Sequence, residues 1–254
     1  LHGDEPGALF RVAPPKRPFF KEVGRDPGRL KIAFSAQSPS GTVASADCIQ
    51  AVQQAAQLCE SLGHHVEEVA PQYDWARSSN AFVNLWCLGI LATVESLETI
   101  TGTKASLDNL ERGTWMAFER AQALGPQAIN QSAADLFTTV REVECFFNDW
   151  DILLTPTCLT PAPPLGQINS NVEGLSFEEW YNQVVSDFAP YTQIFNASGQ
   201  PAMSVPLYQS KSGLPIGIHC VARFGDEASL IRLAAQFEQA LPWIDRRPPN
   251  LIGL

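Results

Sequence analysis

A strand–helix–strand pattern across residues 30–69 constrains the fold of this chain more than any other feature of its sequence. Residues 30–34 and 65–69 alternate as strands do, and between them apolar residues recur at helical spacing. Ser45 is a plausible N-cap for that helix, and Gly63 ends it. Two strands joined by a helix pair in parallel through a right-handed crossover. The pattern therefore predicts an α/β fold.

The rest of the chain predicts a mixed β-sheet flanked by helices. Residues 1–29 are rich in Pro, Gly and Arg, and we expect them to form an arm or loop. We expect residues 30–254 to form a single α/β domain with a mainly helical stretch at 75–150. The other predicted elements are strands at 152–154, 202–205 and 215–221, and helices around 82–97, from Ser132 to Phe147, from Ser176 to Val185 and at 227–240.

Charge and hydropathy exclude several classes of protein. The chain has 17 Lys+Arg and 27 Asp+Glu, a net charge of −10, and no basic run, which argues against binding to nucleic acid or an anionic membrane. No apolar run approaches the ~20 residues of a spanning helix. Charged residues make up only 17% of the chain, so we expect part of its surface to pack against other protein. The first residues, Leu1 to Pro6, contain no initiator Met and no signal peptide, which is typical of an internal segment.

The cysteines, histidines and tryptophans indicate structural roles. Six cysteines form no Cys-x-x-Cys pair, and four of them lie in apolar periodic segments, which favours a reducing cytoplasmic setting. Cys59, His64 and His65 lack a fourth ligand at suitable spacing, so no metal site is predicted. Three tryptophans are predicted to pack in the core: Trp86, Trp115 and Trp150.

A search for catalytic groups finds no complete active site. The chain has no Gly-x-Ser-x-Gly elbow and no glycine-rich phosphate loop. His219 is the histidine in the body of the predicted sheet, and a buried histidine with a satisfied hydrogen bond is favoured there over a catalytic base. Asp149 and Asp151 flank Trp150, and solvated or capping roles are favoured for both carboxylates.

Several distinctive blocks follow one another in the C-terminal part of the chain. They are Asp151–Thr157, Phe195–Pro206, Gly213–Gly217, Arg223–Ala234, and the closing pairs Pro242-Trp243 and Arg247-Pro248. In this order they resemble the blocks of the amidase signature family. Upstream, residues 30–69 fit the family's strand–helix–strand unit, and Arg120 and Arg141 fall in helices of the expected kind. The resemblance covers about residues 28–249 and implies the C-terminal half of the amidase fold.

The resemblance implies a Ser–Ser–Lys triad that this chain does not contain. The family places its lysine, bridging serine and nucleophilic serine in a Gly/Ser-rich N-terminal half. Here the only Ser-Ser is Ser78-Ser79, in a helical segment without glycine, and neither Lys104 nor Lys211 adjoins a Gly/Ser-rich block. We therefore expect no catalytic residue in this chain, no cofactor, no metal, and a need for the missing N-terminal half.

The resemblance also implies which residues contact substrate. Tyr191 and Phe195 are equally compatible with core packing, and Asn196 with turn geometry beside Gly199. The candidate substrate-binding residues are Thr155, Thr157, Cys158, Tyr191, Thr192, Phe195 and Asn196.

Two positions depart from the family pattern. His219 stands where the family usually has Gln, and Ala189 stands about where the tRNA-dependent glutamine amidotransferase branch places a substrate-reading acid. The second departure weakens that branch and favours a general amidase acting on an uncharged or apolar acyl group. The resemblance implies a small carboxylic amide as substrate, and we also expect a possible homo-oligomer and no nucleic acid or membrane partner. Two alternatives stay open: a non-catalytic binding or interaction module derived from an amidase, and part of an amidotransferase A-type subunit.

Overall fold

A mixed five-stranded sheet lies at the centre of the computed structural model, which describes residues 13–247. The strands are β1 Lys31–Phe34, β2 His65–Glu68, β3 Ile152–Pro156, β4 Ala202–Gln209 and β5 Pro215–Ala222. Their order across the sheet is β2-β1-β3-β5-β4. β1 pairs in parallel with β2 and with β3, whereas β5 is antiparallel to both β3 and β4. This mixed sheet flanked by helices confirms the predicted fold class.

Seven α-helices flank the sheet in the described part of the chain. They are α1 Ala46–Ser61, α2 Trp75–Thr101, α3 Arg112–Ala123, α4 Pro126–Phe146, α5 Phe177–Tyr181, α6 Gln193–Ser198 and α7 Glu227–Ala240. A short π-helical turn, Asn182–Ser186, continues α5. The predicted caps are confirmed: Ser45 accepts a hydrogen bond from the backbone of Cys48, and Ser176 with Glu179 forms a capping box.

Two local predictions are wrong, and one short helix was not predicted. The helix predicted to open at Ser132 begins six residues earlier at Pro126, because proline is favoured at a first helical position. Ser132 is instead buried, and its hydroxyl accepts a hydrogen bond from Asn84 Nδ2 at 3.0 Å. Helix α6 was not predicted. Trp86 is 39% exposed, so it does not pack in the core.

The two faces of the sheet carry separate apolar layers. Ile32 and Leu154 point to the face covered by α1 and α7, whereas Ala33 and Leu153 point to the face covered by α4 and α6. This alternation follows from the period of two along a strand. All five residues of β3 are buried, as expected for the central strand. A third apolar cluster joins α2, α3 and α5 beside the sheet.

Helix α2 is long and apolar enough, by length and composition alone, to cross a membrane. Its best 18-residue window has a mean hydropathy of 1.3, so the sequence did contain a run that passes this test. A single such helix is weak evidence, because a core helix of a soluble protein passes the same test. Here α2 packs against α3 and α4.

Residues 13–29 lie against α7 through a cluster of charges. The Glu22 side chain is 2% exposed and accepts hydrogen bonds from Arg232 Nε at 2.8 Å and Nη2 at 2.7 Å. Arg17 and Arg25 also pair with Glu22. Residues 1–12 and 248–254 lie outside the described residues, as do the predicted internal start at Leu1 and the Pro248 end of the last resemblance block. The division into an arm at 1–29 and a domain at 30–254 stays a prediction.

Candidate functional site

A pocket of about 160 Å³ lies at the carboxyl ends of the parallel strands. β1 connects to β2 through α1 on one face of the sheet, whereas α4 precedes β3 on the opposite face. The strand order therefore reverses between β1 and β3, and the crevice at such a reversal is where open α/β sheets bind ligands. We call this cavity the switch-point pocket.

The switch-point pocket combines hydroxyl and amide groups with aromatic walls. The Tyr191 hydroxyl donates a hydrogen bond of 2.7 Å to the Ala36 carbonyl oxygen, which fixes the ring against the loop after β1. Burial raises the pKa of Tyr191 and of Tyr73 well above the ordinary value, so both phenols stay neutral. The residues lining the pocket are Ser35, Gln37, Ser38, Pro39, Ala70, Pro71, Gln72, Tyr73, Leu153, Thr155, Tyr191, Ile194 and Phe195.

Three of the seven sequence-predicted site residues meet in this pocket. They are Thr155 on β3, Tyr191 just before α6, and Phe195 within α6. Tyr191 is 3% and Phe195 is 7% exposed, so each side chain both packs in an apolar layer and borders the pocket. Substrate contact by these residues stays a prediction.

The other four candidates lie outside the pocket lining. Thr192 donates a hydrogen bond to the Ala189 carbonyl oxygen at 3.3 Å, Cys158 is half-buried, and Asn196 is exposed on α6. Thr157 Oγ1 lies 2.6 Å from Ser204 Oγ. The remaining predicted contacts with substrate would therefore need surfaces beyond the switch-point pocket.

A glycine in β5 makes room for the Thr157–Ser204 hydroxyl pair. A Cβ atom at Gly217 would lie 2.4 Å from Ser204 Oγ and 2.7 Å from Thr157 Oγ1. Any side chain at position 217 would therefore displace both hydroxyls. Gly217 maintains a polar patch across β3, β4 and β5 on the sheet face that also carries Thr155.

Beneath the pocket, Thr155 pairs with a buried histidine. Thr155 Oγ1 lies 3.2 Å from His219 Nδ1, and the His219 ring centroid lies 5.6 Å from that of Phe195. His219 is 4% exposed, and burial lowers its pKa from 6.5 to about 4. A general base works best with a pKa near the operating pH, so this imidazole is a weak base for activating the Thr155 hydroxyl. The predicted role of His219, a buried strand histidine with a hydrogen bond, is confirmed.

The serines and lysines considered as triad candidates lie in α2 and in two separate loops. Ser78 is 2% exposed inside α2, and Ser79 follows it in the same helix. Lys104 pairs with Glu98 at 2.7 Å, in the loop after α2, and Lys211 lies in the turn between β4 and β5. None of these four side chains lines the switch-point pocket.

The residues weighed as metal ligands make protein contacts instead. His64 Nδ1 accepts a hydrogen bond from the Leu30 backbone, and its Nε2 lies 2.9 Å from Gln236 Oε1. Cys59 is fully buried, and burial raises its pKa to about 12. Within residues 13–247, no three His, Cys, Asp or Glu side chains are grouped to hold a metal ion.

Two loops of the pocket were missed by sequence reasoning. Residues 35–39 follow β1 and residues 70–73 follow β2, so the pairing of those strands brings the loops together. The sequence contained a usable signal, since residues after the carboxyl ends of neighbouring parallel strands meet at one edge. No comparable sequence pattern indicated that Ile194 lines the pocket.

A family model and several curated proteins match this chain over most of its length. The Amidase family model matches residues 4–231. Two relatives are 6-aminohexanoate-cyclic-dimer hydrolases, from Pseudomonas sp. (strain NK87) and from Paenarthrobacter ureafaciens. They are 30% and 31% identical to this chain, over 99% of this chain and 52% of each relative. The putative amidase AmiB2 of Mycobacterium tuberculosis is 33% identical, over 95% of this chain and 50% of that protein. The chain thus spans about half the length of the curated relatives it matches.

Structural comparisons agree with the sequence comparisons. A 6-aminohexanoate cyclic dimer hydrolase complexed with substrate superposes with a TM-score of 0.88 at 27% identity, over 97% of this chain and 52% of that structure. A bacterial aryl acylamidase superposes with a TM-score of 0.74 at 21% identity, over 91% of this chain and 47% of that structure, which shows a shared fold.

Proposed function

Because this chain belongs to the amidase signature family, we propose that it is the C-terminal portion of an amide hydrolase whose catalytic serine lies outside the chain. In the complete enzyme, that serine attacks the carbonyl carbon of a small carboxylic amide, the amine departs, and water releases the acyl group from the serine. This chain supplies one wall of the substrate cleft. No cofactor or metal takes part.

One observation carries the proposal: the switch-point pocket offers groups that bind an amide but no pair that activates a nucleophile. Its hydroxyls come from Ser35, Ser38, Tyr73, Thr155 and Tyr191. A serine hydroxyl is a weak nucleophile until a base removes its proton, and the imidazole next to the pocket has a pKa of about 4. The base and the nucleophile must therefore come from the other wall of the cleft.

The free edge of the sheet supports a second wall made of further protein. Among the described residues β4 pairs only with β5, and its Ala202, Ser204 and Pro206 are exposed on the sheet face that α4 and α6 cover elsewhere. Soluble proteins rarely leave such an edge uncovered. We propose that the N-terminal half of the amidase fold covers it.

The surroundings of the enzyme follow from composition. All six cysteines are free thiols, which favours a reducing cytoplasm, and the net charge of −10 disfavours nucleic acid and anionic membranes. The proposed partners are therefore a small-molecule amide, the N-terminal half, and in some conditions a second copy of the enzyme.

The test is to isolate the protein from its source, determine its intact mass, and label it with a serine-directed fluorophosphonate. We expect a species longer than 254 residues that hydrolyses small aliphatic or aryl amides and carries the label outside this chain. The 254-residue chain purified alone is the control and should hydrolyse none of these amides.

Two results would contradict the proposal. Turnover by the isolated chain, with the label on one of its own serines, would place the nucleophile within it. An inactive native product no longer than this chain would instead support the non-catalytic module.

A further inference from the structure

A second pocket, of about 280 Å³, lies among the helices beside the sheet. We call it the helical pocket. It lies between the first turns of α2, the side of α3, α5 and the π-helical turn. Its walls include Trp75, Ser79, Val83, Arg120, Phe177 and Tyr181. The aromatic and aliphatic walls suit a short hydrocarbon stem, and the arginine suits an anion at its end.

The guanidinium of Arg120 is held in a fixed orientation by neutral acceptors. Its Nε and Nη2 atoms donate to Asn84 Oδ1 at 3.2 and 3.0 Å, and Nη2 also reaches Asn80 Oδ1 at 3.3 Å. Asn84 is 5% exposed and is itself anchored to Ser132. The plane of the guanidinium lies over the Phe177 ring, with Cζ 5.0 Å from the ring centroid. These contacts position the cation without neutralising its charge.

The carboxylate that pairs with Arg120 within residues 13–247 is weakly held. It belongs to Glu178, whose side chain is 64% exposed, whereas the Arg120 side chain is 22% exposed. An ion pair with one partner this exposed contributes little, so another carboxylate can replace Glu178 while Glu178 turns to solvent. The Nη1 group that holds Glu178 can then donate a charge-assisted hydrogen bond to the incoming carboxylate, which gives the site its chemical preference.

The helical pocket borders the switch-point pocket. The Tyr181 hydroxyl donates to Gln193 Oε1 at 3.2 Å, and Gln193 stands between two residues of the switch-point pocket, Tyr191 and Ile194. Ser40 Oγ donates to the Ser186 carbonyl oxygen at 2.9 Å and lies 2.8 Å from Ser38 Oγ. These contacts place the helical pocket next to the switch-point pocket, with one layer of hydrogen-bonded residues between them.

From this geometry we propose that the helical pocket binds the carboxylate end of an amide substrate, with Arg120 as the residue that determines this specificity. The proposal rests on the proposed amidase function and narrows it to amides that carry a carboxylate on the end remote from the bond that is cleaved.

The test measures binding to this chain of two probes that differ in charge at one end, hexanoate and hexanamide, by calorimetry and by NMR titration of the arginine Nε–H resonances. We expect hexanoate to bind roughly tenfold more tightly, because a carboxylate makes charge-assisted hydrogen bonds to guanidinium. Arg120→Gln should abolish the preference and leave hexanamide binding unchanged. The matched control is Arg141→Gln, which removes the same charge from an exposed position on α4 and should preserve the preference.

A second variant decides the question even where Arg120→Gln disturbs folding. Glu178→Gln removes the competing carboxylate from an exposed position, so hexanoate should bind severalfold more tightly and hexanamide equally. Equal binding of both probes to the unmodified chain, or no binding of either, would overturn the proposal, as would an unchanged hexanoate affinity in Glu178→Gln. Because these readouts are binding alone, they are independent of whether the longer protein hydrolyses amides.

Discussion

The buried His219 should make the chain markedly less stable as the pH falls from 7 to 5. Burial favours the neutral imidazole in the folded chain, with a pKa of about 4 against 6.5 in the unfolded chain. Between these two pKa values the unfolded state therefore binds more protons than the folded state. As a result, the free energy of unfolding decreases as the pH is lowered. Well above pH 6.5 the imidazole is neutral in both states and His219 imposes no penalty. Integrating the difference between pH 7 and pH 5 gives a loss of about 2 kcal/mol in the free energy of unfolding.

The assay is urea unfolding at pH 7 and pH 5 of the unmodified chain and of His219→Gln. Glutamine is close in size and polar. The unmodified chain should lose about 2 kcal/mol more than the variant, because other titrating groups are common to both. The control is Val221→Ala, two residues along β5, whose loss of stability should be equal at both pH values because no proton is involved.

Equal pH dependence of the unmodified chain and His219→Gln would refute this reasoning. A direct measurement comes from the imidazole C–H resonances of the folded chain. A His219 resonance that titrates near pH 6.5 would show that the ring is hydrated, and then the Thr155–His219 pair would be open to solvent.

Three further predictions concern packing, charge and selectivity. Gly113→Ala should lower the free energy of unfolding by about 1–3 kcal/mol, because the added Cβ would lie 2.5 Å from the Trp180 ring. Gly89→Ala, at a helical position with open space around it, should raise the free energy of unfolding by about 0.5–1 kcal/mol. Similar urea midpoints for the two variants would contradict this packing. Glu22→Gln should lower the free energy of unfolding by about 1.5–3 kcal/mol, because the charge-assisted hydrogen bonds from its arginine partners weaken. An unchanged melting temperature would show that this charge cluster does not stabilise the fold. Phe195→Ala in the complete enzyme should shift the ratio of kcat/KM between a bulky and a small acyl amide by the equivalent of about 1–3 kcal/mol, and an equal loss for both substrates would mark the ring as core only.

Signals confined to a few residues were readable from the sequence. Ser45 and the Ser176–Glu179 capping box each satisfy helix-end N–H groups within three positions, so the sequence contains both partners of every hydrogen bond. The central strand was equally clear, because a short apolar run before a proline is typical of a buried strand. These local signals were enough to predict the fold class.

Contacts between distant segments were not readable in the same way. Ser132 has the residue type of a helix cap, yet its hydroxyl bonds Asn84, 48 positions away in another helix. Helix α6 has six residues, too few for helical spacing to emerge. The switch-point pocket needs loops after β1 and β2 together with Tyr191, which lies more than a hundred residues later. The sequence predicted the pocket's Thr155, Tyr191 and Phe195 from a resemblance, and not the loops that complete the pocket.

The position of β3 has a consequence for synthesis of the chain on the ribosome. β3 inserts between β1, completed by Phe34, and β5, which ends at Ala222. β1 and β2 can pair once Glu68 has emerged, but the other edge of β1 then waits for Pro156, which at ~5–20 residues per second takes about 4–18 s. The nascent chain therefore carries an unpaired apolar strand through the synthesis of three helices. Recruitment of a chaperone during that interval is the expected cellular response to this strand order.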